Sequence, residues 1–531
     1  MGKQLAIIGA GVSGLAACKY ALERGFSPIV FEADDSLGGV WVHTLETTKL
    51  QDPKDNYQFS DFPWPSWVKE VHPSSSQVVE YLESYAKHFG IFPHVRFNSK
   101  VIGIDYIGES CEEIESWEFW GGKGKPFGSQ GIWHIKVQNV KSCTFEVYEA
   151  EFVVLCIGQF SGVPYIPEFP PNKGPQVFKG KVIHSMDYSN MDNRIAREFI
   201  KGKRVAVVGS HKSALDIAME CANMNRVDYP CTLIQRTPTW FVPIEPLLES
   251  MIGFLYLNRF SEFMSHKPGE SVLLSILATM LSPLGWAISK LTEAYLRWNY
   301  PLKKYGMLPK TSFIQHLAQC QMAALPNKFY DRVEEGSIII KNSPSFSFYE
   351  TGLTTEGDNQ RVDTDIVILA TGFKTDEKLK NIFESPVFQE WILGSPTSAI
   401  PLYRQILHPR IPQLAVVGYV DSFTTVLSSE IKSQWLMQFL DGKIELPCVS
   451  EMEKEATMWG DHIKQTTGKY FRRSCIKSAN IWYTDQLCRD MGCNPRRKKG
   501  FLEDLFVPYG PTDYANLLPK QGNNWNKQKS L

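Results

Sequence analysis

The chain has 531 residues, which predicts roughly three or four domain-sized units rather than one hydrophobic core. An apolar content of 43% and a charged content of 21% are typical of a soluble globular protein. The net charge of −1 excludes an electrostatic basis for nucleic-acid binding.

The first predicted unit is a strand, a glycine turn and a helix. Leu5–Ile8 is an apolar run, and an alanine-rich helix follows the turn. In such a turn the first glycine permits the tight bend, the second lets the backbone approach a pyrophosphate, and the third lets the helix pack on the strand. The phosphates would bind the open N–H groups of the helix. The turn consists of Gly9, Ala10, Gly11, Val12, Ser13 and Gly14.

The next strand ends at Glu32, about 20 residues beyond the turn, where a carboxylate can accept hydrogen bonds from ribose hydroxyls. An acid here disfavours a 2′-phosphate, so FAD or NAD is predicted. Gly39, Val40 and Trp41 follow in the same loop and resemble the G-G-x-W element of flavoproteins that bind two dinucleotides. That resemblance favours FAD, although the element alone would also suit a loop capped by a core tryptophan.

A second strand–turn–helix pattern begins at Val205–Val208, and its strand partner ends at Arg236 and Thr237. A guanidinium at this position suits the 2′-phosphate of NADPH, and the threonine adds a hydroxyl. A histidine replaces the glycine that would approach the phosphates, so we predict a looser NADPH site. The alternative is a half that has lost its ligand and serves as scaffold. The turn consists of Gly209, Ser210, His211, Lys212, Ser213 and Ala214.

The stretch 272–289 has about the minimum length of a membrane span, but Pro283 and three serines interrupt it. We therefore expect no membrane span, and instead a buried helix pair or an apolar wall over a pocket. The stretch belongs to a helical, apolar insertion at about 249–304. Core packing is the preferred interpretation of that insertion, and a lid or a substrate-channel wall is the alternative.

Phe178–Tyr188 reads FKGKVIHSMDY and matches F-x-G-x-x-x-H-x-x-x-[FY], the identifying sequence of the flavin-containing monooxygenases. The strand runs 153–169 and 365–376, the second with Thr371 and Gly372, resemble the crossovers between the two nucleotide domains of that family. Residues 401–419 resemble its flavin-closing segment. The chain is thus similar to this family over essentially its whole length.

The resemblance implies an α/β fold with two dinucleotide-binding, Rossmann-like domains, the NADPH domain being inserted into a discontinuous FAD domain. The expected FAD domain covers 1–190 and 343–531, and the expected NADPH domain covers 191–342. Within the family, 46–65 and 301–309 look closest to a plant subgroup typified by the pathogen-inducible enzyme that N-hydroxylates pipecolate in plant defence.

The resemblance also implies the chemistry. NADPH reduces FAD, and the reduced flavin forms with O₂ a C4a-hydroperoxide that N- or S-oxygenates a small soft nucleophile. N-hydroxylation of an amine or amino-acid metabolite is favoured. Thr371 and Gly372 would contact cofactor, and the catalytic asparagine that many members place near the flavin corresponds to Gln51, whose side chain is one methylene longer.

Two other functions stay open from the sequence. His211 and Gln51 also suit a catalytically weak regulatory protein that binds NADP and FAD, and a thioether S-oxygenase fits the same motifs. A flavin disulfide reductase is disfavoured, because the 11 cysteines contain no C-x-x-C pair. Their scatter predicts reduced thiols and no metal site. We expect no leader segment and a cytoplasmic location, with peripheral membrane association as the alternative; the sequence does not indicate an oligomeric state.

Overall fold

The computed structural model describes residues 2–356, 360–468 and 473–518. Its strands, numbered in chain order, are β1 (Gln4–Ile8), β2 (Ser27–Phe31), β3 (Val95–Arg96), β4 (Ser99–Ile107), β5 (Ile132–Asn139), β6 (Phe145–Ala150), β7 (Phe152–Leu155), β8 (Lys181–His184), β9 (Val205–Val208), β10 (Cys231–Gln235), β11 (Phe241–Pro243), β12 (Ala323–Leu325), β13 (Ile338–Asn342), β14 (Phe346–Tyr349), β15 (Gly352–Thr355), β16 (Arg361–Asp363), β17 (Ile366–Leu369) and β18 (Leu414–Val416).

The helices are numbered in the same way. They are α1 (Val12–Glu23), α2 (Ser75–His88), α3 (Cys111–Glu115), α4 (Ser185–Ser189), α5 (Asn193–Ile200), α6 (Lys212–Asn225), α7 (Pro246–Tyr256), α8 (Arg259–Glu262), α9 (Val272–Asn299), α10 (Phe313–Ala318), α11 (Phe329–Glu334), α12 (Thr375–Lys380), α13 (Pro386–Leu393), α14 (Thr425–Leu440), α15 (Val449–Thr467), α16 (Asn480–Asp490) and α17 (Phe501–Phe506).

The first of two five-stranded sheets has the order β18–β7–β1–β2–β3, and every neighbouring pair is parallel. Alternate residues of β1 point to opposite faces. Leu5 and Ile7 join the core that includes α1 and α14, whereas Ala6 and Ile8 join a core with the antiparallel sheet β4–β5–β6. Both faces are covered, which explains why the strands read as unbroken apolar runs.

The second sheet has the order β13–β10–β9–β17–β8 and is also parallel throughout. In β9, Val205 and Val207 pack in the core with α6, and Ala206 and Val208 pack on the opposite side with the small sheet β14–β15–β16. Two parallel sheets, each with a glycine turn after a central strand, confirm the predicted α/β class with two Rossmann-like domains.

The expected domain boundaries were too narrow for the second domain. Residues 181–184 form its edge strand β8, and residues 366–369 form its inner strand β17, which pairs with β9 from Ile366↔Val205 to Leu369↔Val208. The expected boundaries at 190 and 343 place both strands in the FAD domain, whereas both belong to the second sheet. The sequence identified both stretches as strands at the crossovers, but which sheet a strand joins depends on non-local pairing.

The interpretation of the apolar insertion as core was wrong for its longest helix. α9 spans 28 residues with Pro283 inside it, and its buried residues number only six. It is the one helix in the described parts of the chain that is long and apolar enough, by length and composition, to cross a membrane. High hydropathy predicted burial, but hydropathy alone does not say what covers the helix.

The expectation that all thiols are reduced was also wrong. Cys320, just before β12, and Cys475, between α15 and α16, form a disulfide whose Cα atoms lie 6.0 Å apart. The bond links the inserted domain to the C-terminal part of the chain across a separation of 155 residues. Such a pairing has no local spacing signal. The cytoplasmic location stays a prediction.

Candidate cofactor sites

The turn between β1 and α1 leaves space where a dinucleotide would bind. A Cβ on Gly9, whose φ is +105°, would lie 2.6 Å from the Cys156 carbonyl oxygen, and a Cβ on Gly14 would lie 1.8 Å from the Gly9 oxygen. Packing within the protein therefore requires both glycines. A Cβ on Gly11 would meet no atom closer than 3.6 Å, at Gly39 Cα. Protein packing does not explain glycine at 11, whereas close approach of a phosphate does.

The helix that follows offers free donors to that space. Gly11 is the N-cap of α1 and provides no side-chain cap, so backbone N–H groups of the first turn point outward without an intrahelical partner. The Gly38 N–H donates to the Ala10 oxygen at 3.2 Å, which brings the G-G-V-W loop against the turn. Within that loop the Trp41 indole donates to the Tyr57 hydroxyl at 2.6 Å, so the ring is fixed, while Val40 is exposed.

Glu32 already closes the first turn from the end of β2. Its carboxylate accepts the Ala10 N–H at 2.6 Å and the Asp34 N–H at 3.1 Å. Burial raises the pKa of Glu32 above its ordinary value, although the bonds from Asp34 and Ala10 act in the opposite direction. A carboxylate has about four acceptor positions, so the bonds from Ala10 and Asp34 do not fill them all, and ribose hydroxyls can still donate to Glu32.

The second turn keeps the tight bend and loses the open approach. Gly209 has a φ of +155°, and a Cβ there would lie 2.4 Å from the Ala370 oxygen and 3.1 Å from the buried Ala214. His211 is the N-cap of α6 and gives no side-chain cap bond, so its first N–H groups stay available, with Ser210 and the exposed Ser213 beside them. The imidazole of His211 nevertheless stands where a phosphate would meet bare backbone in a glycine-rich turn.

Lys212 is engaged within the protein. Its ammonium pairs with Asp216 one turn along α6, and the second oxygen of Asp216 accepts the Thr48 hydroxyl at 2.6 Å. The three side chains tie the start of α6 to the loop before Gln51. This arrangement places Lys212 at the junction of the two domains rather than at an empty phosphate position.

Arg236 is the available cation of the second site. It follows the fully buried Gln235 at the end of β10, its side chain is exposed, and the half-buried Thr237 comes next. Among the residues that the structure describes, no carboxylate forms an ion pair with Arg236. The end of β10 thus presents a guanidinium where the end of β2 presents a carboxylate, which is the predicted asymmetry.

Gln51 and the second crossover both lie where the domains meet. The Gln51 side-chain oxygen accepts the Ala324 N–H of β12 at 3.2 Å, so its amide points toward the inserted domain. The Thr371 hydroxyl donates to the Tyr165 oxygen, and the Gly372 oxygen accepts the Tyr165 N–H at 2.8 Å. Thr371 and Gly372 therefore bind the two crossovers to each other.

The sequence missed a group of charged residues beside Gln51. His72 is buried, its Nδ1 lies 2.9 Å from the Leu50 oxygen, and its Nε2 lies 2.8 Å from the carboxylate of Glu249 on α7. Asp52 is solvent-accessible and closely surrounded by protein, which raises its pKa, although the charges of Lys477 and His72 act against the rise. These residues come from distant segments, and no local motif marks them.

The fold contains two parallel sheets, each with an open helix N-terminus at its central turn. An acid follows β2 in the first sheet and an arginine follows β10 in the second. This combination defines a class of protein that binds two dinucleotides. The chain belongs to the FMO-like family, described as flavin-binding monooxygenase-like, which it matches over residues 2–514. The cofactors of this family are FAD and NADP(H), and the free space at Gly11 together with the acceptor positions of Glu32 fits the first of them.

Curated plant relatives are similar along the whole chain. "Probable flavin-containing monooxygenase 1" of Arabidopsis thaliana is 40% identical over 515 residues, covering 96% of each chain. "Putative flavin-containing monooxygenase 2" of the same plant is 37% identical and covers 93% of this chain and 98% of its own.

Solved structures show the same fold at lower identity. S-allyl-L-cysteine S-oxygenase from Allium sativum matches with a TM-score of 0.58 at 17% identity, covering 93% of this chain and 89% of that one. An OTEMO complex with FAD and NADP matches with a TM-score of 0.64 at 15% identity, covering 92% and 97%.

Proposed function

We propose that this flavin monooxygenase uses NADPH and O₂ to transfer one oxygen atom to a soft nitrogen or sulfur of a small metabolite, with N-hydroxylation of an amine or amino acid favoured. The main support for this proposal is the contrast between Glu32 at the first turn and the exposed Arg236 at the second. When bound, FAD and NADPH supply the oxygen and electron chemistry. The role of the protein chain is to bind the cofactors and the substrate, to orient them, and to exclude water from the site.

The charged residues beside Gln51 support an amine or amino-acid substrate. Asp52 accepts no hydrogen bond from any residue in the described parts of the chain, and the ammonium of Lys477 acts on it electrostatically. A carboxylate with an ammonium near it would complement the two charged ends of an amino acid. The His72–Glu249 pair, beside Asp52, fixes α7 against this region.

We further propose that the substrate class is that of the pathogen-inducible plant subgroup, with pipecolate as the first compound to test. The support is the resemblance of residues 46–65 and 301–309 to that subgroup. In this proposal Gln51 contacts the flavin, and its bond to Ala324 exchanges for a contact with cofactor.

The test uses purified full-length protein with bound flavin. NADPH oxidation should require O₂, and under ¹⁸O₂ mass spectrometry should show one labelled oxygen on pipecolate and none on a thioether control such as S-allyl-cysteine. If only the thioether carries the label, the proposed N-hydroxylation is wrong and the protein is an S-oxygenase. If the natural protein binds flavin but oxidises NADPH only as the His211→Gly variant, the regulatory alternative is identified instead. The Asp52→Asn variant should raise KM for pipecolate about tenfold, the loss expected for one charge-assisted hydrogen bond.

A further inference from the structure

The surface of α9 that faces away from the protein is almost entirely apolar. At 3.6 residues per turn, seven large side chains fall within about 120° of the helix circumference. They are between 42% and 90% exposed. We call this set the outer face of α9, and it consists of Val272, Leu273, Ile276, Met280, Leu284, Leu291 and Trp298. A helix on a water-facing surface normally shows its polar side to solvent, so α9 is inverted.

The outer face is larger than a typical exposed patch. At about 150–250 Å² for a fully exposed large side chain, it presents roughly 900 Å² of apolar surface. The largest patch on an ordinary monomer is about 300–600 Å². The face runs along a helix of 28 residues, about 42 Å in length. A surface of this size and shape indicates an apolar partner.

The opposite side of α9 is anchored to the protein by buried polar contacts. The Glu293 carboxylate accepts the Phe313 N–H at 3.0 Å, and the Ser289 hydroxyl accepts the Ile314 N–H at 3.2 Å, both at the start of α10. Both side chains are almost completely buried. Since crossing a bilayer would put these groups into lipid, α9 can lie along a membrane surface but cannot span it while the domain stays folded.

The charges of α9 suit an anionic surface. Its only acid, Glu293, is buried and pairs with Lys290 at 2.8 Å and Arg297 at 3.4 Å, so the outer face is bordered by two cations and carries no carboxylate. Trp298 and the 61% exposed Trp286 have amphipathic rings of the kind enriched at membrane–water interfaces.

Neighbouring helices also expose large apolar side chains. The Tyr256 hydroxyl of α7 lies 3.1 Å from that of Thr292, and α7 exposes 77% of Leu247 and 54% of Phe254. Beyond α7, α8 packs on α17 through Phe260 and Phe506, and α17 exposes Phe501 and Leu502 directly after the basic run 496–499.

We propose that the outer face of α9 lies flat on the surface of an anionic phospholipid bilayer and holds the protein there without crossing it. A second copy of the chain is the less favoured occupant, since the outer face of one copy carries no exposed acid that could pair with Lys290 and Arg297 of the other. The proposal is independent of the substrate and of oxygen transfer.

The test is co-sedimentation of the full-length, flavin-loaded protein with vesicles of phosphatidylcholine and phosphatidylserine at about 3:1. We expect the natural chain to bind and the triple variant Leu273→Glu, Met280→Glu, Leu291→Glu to bind at least tenfold more weakly. The single variant Trp298→Glu should bind about threefold more weakly and guards against misfolding of the triple variant. Flavin content and O₂-dependent NADPH oxidation should stay within twofold in all variants.

A matched control separates apolar contact from charge. The variant Val140→Glu, Phe145→Glu, Val147→Glu adds the same three negative charges at residues that are 48–66% exposed around β6, away from α9. It should bind vesicles within twofold of the natural chain. The proposal is overturned if the natural chain does not bind these vesicles, or if the control loses as much binding as the α9 variant. It is also overturned if the natural chain forms, without lipid, a dimer that the α9 substitutions dissociate, since a second copy would then cover the face.

Discussion

Replacement of Arg236 by alanine tests the second nucleotide site directly. The guanidinium is exposed and, among the described residues, has no carboxylate partner, so its removal leaves no buried charge behind. A charge-assisted hydrogen bond contributes about 1.5–3 kcal/mol, and exposure to water places the expected loss near 2 kcal/mol. That loss corresponds to a rise of about 30-fold in the dissociation constant for NADPH.

NADH provides the internal comparison, because it has no 2′-phosphate. Flavin reduction is followed anaerobically by stopped-flow absorbance at increasing NADPH or NADH, which separates the dissociation constant from the hydride-transfer rate. Arg236→Ala should raise the dissociation constant for NADPH about 30-fold and that for NADH less than twofold. The matched control Lys201→Ala removes another exposed cation, at the opposite end of the sheet. It should leave the dissociation constants for both nucleotides unchanged. Equal losses for both nucleotides would refute the assignment of Arg236 to the 2′-phosphate.

Three further predictions follow from contacts described above. Gly11→Ala should lower bound flavin about tenfold while leaving apoprotein unfolding unchanged, since the added Cβ meets no protein atom within 3.6 Å but occupies the phosphate approach; flavin absorbance and calorimetry measure the two effects. Dithiothreitol should lower the melting temperature, because the Cys320–Cys475 bond spans 155 residues and restricts the unfolded chain by up to about 5 kcal/mol. Burial lowers the pKa of His72, but the hydrogen bond to Glu249, the bond to the Leu50 oxygen and the charges of Glu249 and Asp52 together outweigh burial, so the pKa is raised. That stabilisation is complete below about pH 6.5 and is lost as pH rises through the raised pKa, so Glu249→Gln should flatten the decline in melting temperature toward alkaline pH.

Each of these predictions has its own control. Gly14→Ala, which would place a Cβ 1.8 Å from a backbone oxygen, should destabilise the apoprotein as well as reduce flavin. If Gly11→Ala and Gly14→Ala behave alike, Gly11 serves packing and not a ligand. The double variant Cys320→Ser, Cys475→Ser should melt at the lower temperature with or without reductant. An unchanged pH profile in Glu249→Gln would show that the His72 pair does not contribute to stability.

The two glycine turns, after β1 and after β9, could be predicted because the signals for each are local in the sequence. In each unit the tight bend, the helix start and the residue at the end of the next strand lie within about 30 residues. Gly9, Glu32 and Arg236 can therefore be identified from the sequence alone. Contacts between segments that are distant in the sequence could not be predicted. Nothing near Cys320 indicates Cys475, nothing near His72 indicates Glu249, and the strand 366–369 joins the second sheet only through pairing with β9.

The misjudged helix shows a different limit. α9 carries apolar residues on both sides, so its composition predicts contact with something apolar without saying whether that is protein or lipid. Ser289 and Glu293, two of the polar residues of α9, lie on the inner side, because a buried polar group needs a partner and both find one at α10.

Glu32 supports the first turn as well as facing the nucleotide site. Its carboxylate accepts the N–H groups of Ala10 and Asp34, so the same side chain shapes the backbone that would hold the dinucleotide. A substitution at position 32 therefore changes the geometry of the turn together with any contact to ribose. Loss of flavin in such a variant has to be read beside the stability of the protein without flavin.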